Sequence, residues 1–483
     1  MRAVTRTSLA AAVLAALLPL AAAAAGAAPP ADDAAYDRLA HDIFKQLIEI
    51  DTSDSTGNVT AAAEALAQRF RDAGFPPADL TLLGPNDHKK NLVVRLHGSG
   101  AHKPVLLLGH LDVVEARRED WSTDPYKFIE KDGFYYGRGT IDMKDGDAVM
   151  AATLIRMKQQ GYRPSRDIIA AFTADEEGGC CNGVSWLLRN HRALIDAEFV
   201  LNQDDWSVMS EHGVPRVARL IATEKLYSDY QLSVTNRGGH SSVPRPDNAI
   251  YELARGLIRL ARFQFPFELN AVNRGYFEQM AQGVARGQEA EDMRAILRTP
   301  PDAQALARLS RDPDNHSMTR TTCVPTRLAG GHANNALPQR AEAVVNCRIF
   351  PGHSKEEIRQ TLIKALNDPQ ITVRYIADDG SVSDRATDEQ AAPPAPLRPE
   401  VMKALNELSR QAWPQARVIP ILDPGASDAK YTLAAGLPTY TFGGVAVDRD
   451  DVRAHGRDER VTVAEFYKWN RFFYRYVTEL TAQ

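Results

Sequence analysis

Apolar residues recur along this chain with two periods, and the switches between them mark out its elements. Tyr36, Leu39, Ile43, Phe44 and Leu47 share one helical face, which predicts a helix over 36–50. A second helix is predicted over 60–73, with Gly74 as its stop. Residues 80–83 and 92–96 read as strands. The run 105–108 is short and wholly apolar, the mark of a strand buried on both faces of a sheet. A helix over 143–159 buries Val149, Leu154 and Met157 and ends at Gly161, and strands follow at 168–173 and 199–201. Strands alternating with helices predict an α/β layer around a mostly parallel sheet.

The pattern changes near residue 225. Residues 230–235 alternate like a half-exposed strand, and Ile250, Leu253, Leu257 and Leu260 align on a helix over 248–262. Strands at 319–328 and 341–349, a helix at 355–366 and a strand at 371–375 complete a small α+β unit. A polar, charged, helical stretch over 264–317 interrupts it. A proline-rich linker at 391–399 returns the chain to helix 400–412, strand 417–422, helix 427–435, strand 438–442 and a last helix at 462–480. The predicted fold is therefore one α/β domain built from 31–225 and 396–483. A second, α+β domain at 226–380 is inserted into it, with 264–317 as an insertion of its own.

Length and composition agree with this division. At 483 residues the chain exceeds one hydrophobic core, while 44% hydrophobic and 25% charged residues are ordinary for a soluble protein. A net charge of −5 provides no basic footprint for nucleic acid, so none is expected as a partner. Arg2 and Arg6 precede an Ala/Leu-rich run from Leu9 to Ala25, then small residues and Pro29-Pro30. That is the pattern of a cleaved secretory signal over 1–28, short for the ~20 residues of a membrane span. The mature chain is thus expected to be exported, periplasmic or secreted, without a transmembrane segment. Export permits oxidation of cysteines. Cys323 and Cys347 fall in two predicted strands, where they either pair or stay reduced; Cys180 and Cys181 read as small buried thiols.

The chemistry gathers at strand ends. His110 stands just past the buried run 105–108, and ligands of open α/β sheets collect at the carboxyl ends of strands. Asp112, two residues on, is placed to fix the tautomer of His110. Asp142 begins a helix, where it serves equally well as an N-cap or as a ligand. Asp175-Glu176-Glu177 follows the apolar strand 168–173, and three adjacent acids repel one another unless cations neutralise them. Adjacent carboxylates can also divide labour, one binding metal and its neighbour taking a proton from water.

These fragments, with Gly-Gly-His240-Ser-Ser, Asn335-Ala-Leu-Pro and Gly-Ala-Ser-Asp428-Ala in the same order, resemble a di-zinc peptidase family. That family includes carboxypeptidase G, the aminoacylases, carboxypeptidase S-type enzymes and succinyl-diaminopimelate desuccinylase. The resemblance spans nearly all of the mature sequence. It implies two zinc ions, with His110 and His455 each holding one, Asp142 bridging both and Glu177 completing one site. A His- and carboxylate-rich site would also accept cobalt or manganese. The resemblance makes Glu176 the general base and Asp112 the residue that orients His110. The remaining ligand falls in Asn202-Gln203-Asp204-Asp205, a departure from the family's usual Asp-Glu-Gly. Asp204 is taken, with Asp205 as its rival.

The inserted domain resembles the family's lid, which implies a homodimer contact unless 264–317 covers that edge. By the same resemblance His240 and Asn335 stabilise the oxyanion, and Arg348 anchors a substrate carboxylate, a planar group that suits a guanidinium fork. The implied activity is hydrolysis of an amide next to a free carboxylate, as an exopeptidase (carboxypeptidase or dipeptidase) on small peptides. The alternatives are an N-acyl-amino-acid hydrolase and a catalytically silent peptide-binding protein on this fold.

Overall fold

The structure, a computed structural model, describes residues 31–178 and 180–482; the expected signal at 1–28 lies outside them. A ten-stranded mixed sheet forms the larger unit. Its order runs Leu80–Leu83, Asn91–Leu96, Ile168–Thr173, Val105–His110, Phe199–Asn202, Thr439–Thr441, Val214–Glu224, Val208–Glu211, Ala446–Asp448, with Arg417–Asp423 also paired to Val214–Glu224. The central four strands, Ile168–Thr173 to Thr439–Thr441, are parallel to one another. Thr439–Thr441 lies between strands laid down more than 200 residues earlier, so the two ends of the chain build one sheet.

The wholly apolar strand has a simple cause. Leu107 packs into the core formed with Phe44, Met150, Phe172, Phe466 and Trp469. Leu106 and Leu108 point the other way, against Val184 and Leu187 of helix Gly183–Asn190. Alternate side chains of one strand face opposite layers, and here both layers are helical. Helices Ala31–Ile48, Lys144–Gln159, Pro399–Ala412 and Val463–Thr481 supply the first layer.

The inserted unit has its own sheet of five antiparallel strands, ordered Thr322–Gly330, Arg340–Ile349, Leu226–Thr235, Thr372–Ile376, Val382–Ser383. Helices Ala249–Arg262 and Lys355–Leu366 cover it, around Tyr230, Leu232, Val345 and Leu362. Cys323 and Cys347 face each other across its ladder and form a disulfide.

One expectation is corrected. Cys180 and Cys181 are not buried thiols: they are joined to each other, and Cys180 is exposed. The stretch 264–317 leaves the outer edge of the small sheet open: strand Thr322–Gly330 is exposed from Val324 to its end, with Leu328 71% exposed. It folds instead into helices Ala271–Gly283, Gly287–Ile296, Ala303–Leu309 and Pro313–Ser317 around Phe277, Met293, Ile296 and Leu309. Side-chain caps at Asn270, Asp302 and Asp312 start three of them. Tyr276 and Met280 then pack on Ile419 and Ile421 of the larger sheet.

Candidate metal centre

Three loops at the carboxyl ends of parallel strands bring the predicted acids and imidazoles together. His110 ends its strand, Glu176 and Glu177 follow Ile168–Thr173, and Asp204 follows Phe199–Asn202. Asp142 precedes helix Lys144–Gln159, and His455 comes from the loop before the last helix. Asp142 lies between the two imidazoles: its Oδ1 is 3.2 Å from His110 Nε2 and its Oδ2 is 3.0 Å from His455 Nε2. Asp204 Oδ1 is 3.6 Å from His110 Nε2, and Glu177 Oε1 is 2.6 Å from His455 Nε2. Two groups that could each hold a metal ion result, His110–Asp142–Asp204 and Asp142–Glu177–His455, which share Asp142. Glu176 belongs with His110 and Glu177 in a third grouping, beside the pair.

The local supports explain why these side chains converge. Asp112 accepts the backbone N–H groups of Glu176 at 3.1 Å and Glu177 at 2.8 Å, so it fixes the acidic loop. His110 Nδ1 is 3.0 Å from the main-chain carbonyl of Asp112, closer than the 3.7 Å to its carboxylate. Asp112 thus orients His110 through its backbone and the acids through its side chain. Of the two neighbouring acids, Asp205 accepts from Arg219 at 2.7 Å and Ser207 at 2.6 Å, while Asp204 is the one that approaches His110.

The donors fit a pair of divalent cations. Imidazole and carboxylate at these positions are ligands that zinc accepts, and a carboxylate with one oxygen toward each imidazole is placed to bridge. His110 Nε2 is buried and makes no hydrogen bond, though two carboxylates stand beside it. The electrostatics point the same way. Burial, then the charge of Asp204, pushes Glu176 well above the usual carboxylate range. Burial also raises Asp204 to about 6. Hydrogen bonds to Asp142 and Glu177 push His455 up to about 10, and burial of His110 is outweighed by Asp142 and Asp204. Four carboxylates crowd two imidazoles, an excess of negative charge that cations relieve.

His240 and Asn335 are brought to each other rather than to this cluster. His240 pairs with Ala336 in a two-stranded ladder of the inserted unit, and the Ser241 N–H donates to Asn335 O at 3.0 Å. The exposed His240 ring accepts from Ser242 Oγ at 2.7 Å. Arg348 is half-buried, its guanidinium 4.8 Å over the Tyr227 ring.

Several supporting roles escaped the sequence reading, that of Asp428 within its motif among them. Asp428 accepts from Thr173 Oγ1 at 3.1 Å and Asn182 Nδ2 at 2.6 Å beneath the acidic loop. Glu459, fully buried, accepts from Arg138 at 2.6 Å and from the Ile141 N–H at 2.8 Å, and so fixes the approach to Asp142. Lys225 is buried with its Nζ 3.4 Å from Thr322 Oγ1, and Thr322 pairs with Arg348 in the ladder. Burial, then Arg348, pushes Lys225 down to about 7. Each of these is a charged residue, which sequence alone reads as solvated. A cavity of ≈ 590 Å³ between the 264–317 helices and the large sheet, lined by Met209, Tyr276, Met280 and Asp423, contains none of the cluster residues.

Comparison with known proteins agrees with this geometry. The profile of Peptidase family M20/M25/M40 matches residues 106–479, and the chain belongs to that family. It is 28% identical over 386 residues to a probable carboxypeptidase S-like 2 of Dictyostelium discoideum, covering 78% of this chain and 71% of that one. It is 25% identical over 448 residues to the N-fatty-acyl-amino acid synthase/hydrolase PM20D1 of Mus musculus, covering 89% and 85%. The M20 family metallo-carboxypeptidase Sso-CP2 from Sulfolobus solfataricus shares the fold at a TM-score of 0.68 and 15% identity, over 91% of this chain and 98% of that one. The Bacillus subtilis YXEP protein, a dinuclear metal binding peptidase of the family, superposes with a TM-score of 0.55 at 10% identity, over 93% and 99%.

Proposed function

We propose that this protein is a dinuclear metal hydrolase that cleaves an amide next to a free carboxylate, acting as an exopeptidase on small peptides. The observation that carries the reading is Asp142, with one oxygen toward each of two imidazoles and Glu176 beside them. Zinc is the proposed metal, held by His110, Asp142, Asp204, Glu177 and His455, with cobalt or manganese as substitutes. Such a pair supplies Lewis acidity, making water more acidic and polarising a carbonyl. Glu176 accepts the proton of the attacking water and returns it to the departing amine. Arg348, near the buried amine of Lys225, receives the substrate carboxylate. His240 and Asn335 donate to the oxyanion once the inserted domain meets the cluster as a lid.

Hydrolysis of N-acyl amino acids is the second reading, favoured by the similarity to N-fatty-acyl-amino acid hydrolases. A panel of dipeptides and N-acyl amino acids, each with its carboxyl-amidated counterpart, separates the two. Metal-dependent release of free amino acid from the carboxylate forms alone supports the proposal. Equal hydrolysis of the amidated forms, or turnover that survives chelation, overturns it.

A homodimer through the lid edge and export to the periplasm or medium complete the proposal. Val324 and Leu328 on the edge strand, and Ile250 and Ile258 on helix Ala249–Arg262, are exposed, and the two disulfides suit an oxidising compartment. Light scattering on the purified enzyme, and N-terminal sequencing of protein recovered outside the cytoplasm, test these two parts.

A further inference from the structure

The turn that carries Glu176 and Glu177 is closed by a disulfide between neighbours, Cys180 and Cys181. Everything else that holds this turn converges on the same few atoms. The Cys181 N–H donates to Asp175 Oδ2, and Asp175 Oδ1 accepts from Lys89, which also binds Asp54 at 2.6 Å. On the far side, Asn182 donates to Asp428 at 2.6 Å and the Gly183 N–H to Ala174 O at 2.7 Å. Between these two anchors stands Glu177, 2.6 Å from His455 Nε2. The disulfide is thus part of the frame that positions one ligand of the pair.

The two disulfides of the chain differ in access. Cys347 is fully buried and Cys323 half-buried, cross-linking two strands of the small sheet. Cys180 is exposed, and Cys181 is half-buried with Asn86 Nδ2 4.0 Å from its sulfur. Thiol exchange needs an accessible sulfur to attack and a stabilised sulfur to leave. The vicinal pair offers both: attack at Cys180, departure from Cys181 beside the Asn86 amide donor.

We propose that Cys180–Cys181 is a thiol-exchange site for dithiol reductants, and that its redox state sets the metal affinity of the position held by Glu177 and His455. The inference rests on the dinuclear reading above. A thiolate of the reductant attacks Cys180 Sγ; the S–S bond breaks and its electron pair leaves on Cys181 Sγ, which takes a proton. The second thiol of the reductant then displaces Cys180, which is protonated in turn. Two electrons and two protons pass from the dithiol to the protein, and the reductant leaves as a cyclic disulfide. Opening the ring returns backbone freedom to residues 180–181, and Glu177 is held less firmly toward His455. Losing a support of this kind commonly weakens metal binding by about 10–100-fold.

The test uses the folded, zinc-loaded protein and needs no substrate. It is treated with dithiothreitol, the reductant is removed without air, and thiols are alkylated and mapped by mass spectrometry. Zinc affinity is then read by competition with a chromogenic chelator. The expected result is alkylation of Cys180 and Cys181 but not of Cys323 and Cys347, with one of two zincs bound about 10–100-fold more weakly. The Cys180→Ala, Cys181→Ala double variant should start at the weaker affinity and no longer respond to reductant. A ring that stays closed in the folded protein overturns the proposal, as does a ring that opens with both affinities unchanged. Because the readouts are thiols and zinc, a protein that binds two zincs yet hydrolyses nothing fails the functional reading without touching this one.

Discussion

Arg219 holds the carboxylate of Asp205 at 2.7 Å, and that contact decides which of two adjacent acids can reach His110. Asp204 is left facing the imidazole at 3.6 Å. Asp204→Ala should therefore lose about one metal per chain, whereas Asp205→Asn should retain both and lose stability. Metal analysis after gel filtration reads the difference. The same loss in both variants would return the assignment to Asp205.

Glu176 sits beside the two ligand sets rather than within the shared one. Glu176→Ala should lower kcat by about 10²–10⁴-fold while metal content stays near that of the parent. Loss of metal in this variant would exchange the base and ligand roles of Glu176 and Glu177.

Arg348→Ala should raise KM for substrates with a free carboxylate by roughly 10–100-fold, the worth of a hydrogen bond to a charged group. Amidated analogues, slow in both proteins, should show no further change. An equal effect on the two substrate classes would remove Arg348 from the anchor role.

Lys225 gives a prediction in pH. Its ammonium is pushed down from 10.5 to about 7 by burial, with Arg348 adding to it. Between those values the unfolded chain carries the proton and the folded one does not, so stability rises with pH across this window. The penalty is fully present below pH ~7 and gone above the unfolded value. Lys225→Met should raise the melting temperature most at pH 6 and progressively less by pH 9, in metal-saturated protein. A constant gain at both pH values would mean that lost packing or gained apolar area, not charge, is responsible.

Glu459 tests the frame around Asp142. It is fully buried and pairs with Arg138 while accepting from the Ile141 N–H. Glu459→Ala leaves a buried guanidinium unpaired and should cost about 3–5 kcal/mol, read by denaturant unfolding of the metal-loaded enzyme. A change below about 1 kcal/mol would show that water replaces the carboxylate without loss.

The central strands and the ligands at their ends were legible in the sequence because burial on both faces leaves an unbroken apolar run. Val105–His110 and Ile168–Thr173 end where that run ends, and His110 and the acids follow directly. Strand Val214–Glu224 was not legible: its first half is half-exposed and polar, and only its second half is buried. The four helices of 264–317 merged into one polar stretch because they bury a few residues each around a core of their own. Charged residues such as Lys144, Lys225 and Glu459 are read by default as solvated, and only the neighbours that surround them reveal otherwise. Asp112 was found but half its role was missed, since a carboxylate binding two backbone N–H groups leaves no mark in sequence.

The strand Thr439–Thr441 slots between Phe199–Asn202 and Val214–Glu224, and His455 follows it in the chain. During synthesis the first imidazole therefore emerges more than 300 residues before the second. A growing chain holds most of the carboxylates but neither a closed sheet nor a complete ligand set. The two imidazoles can meet around Asp142 only after the C-terminal part of the chain has joined the sheet.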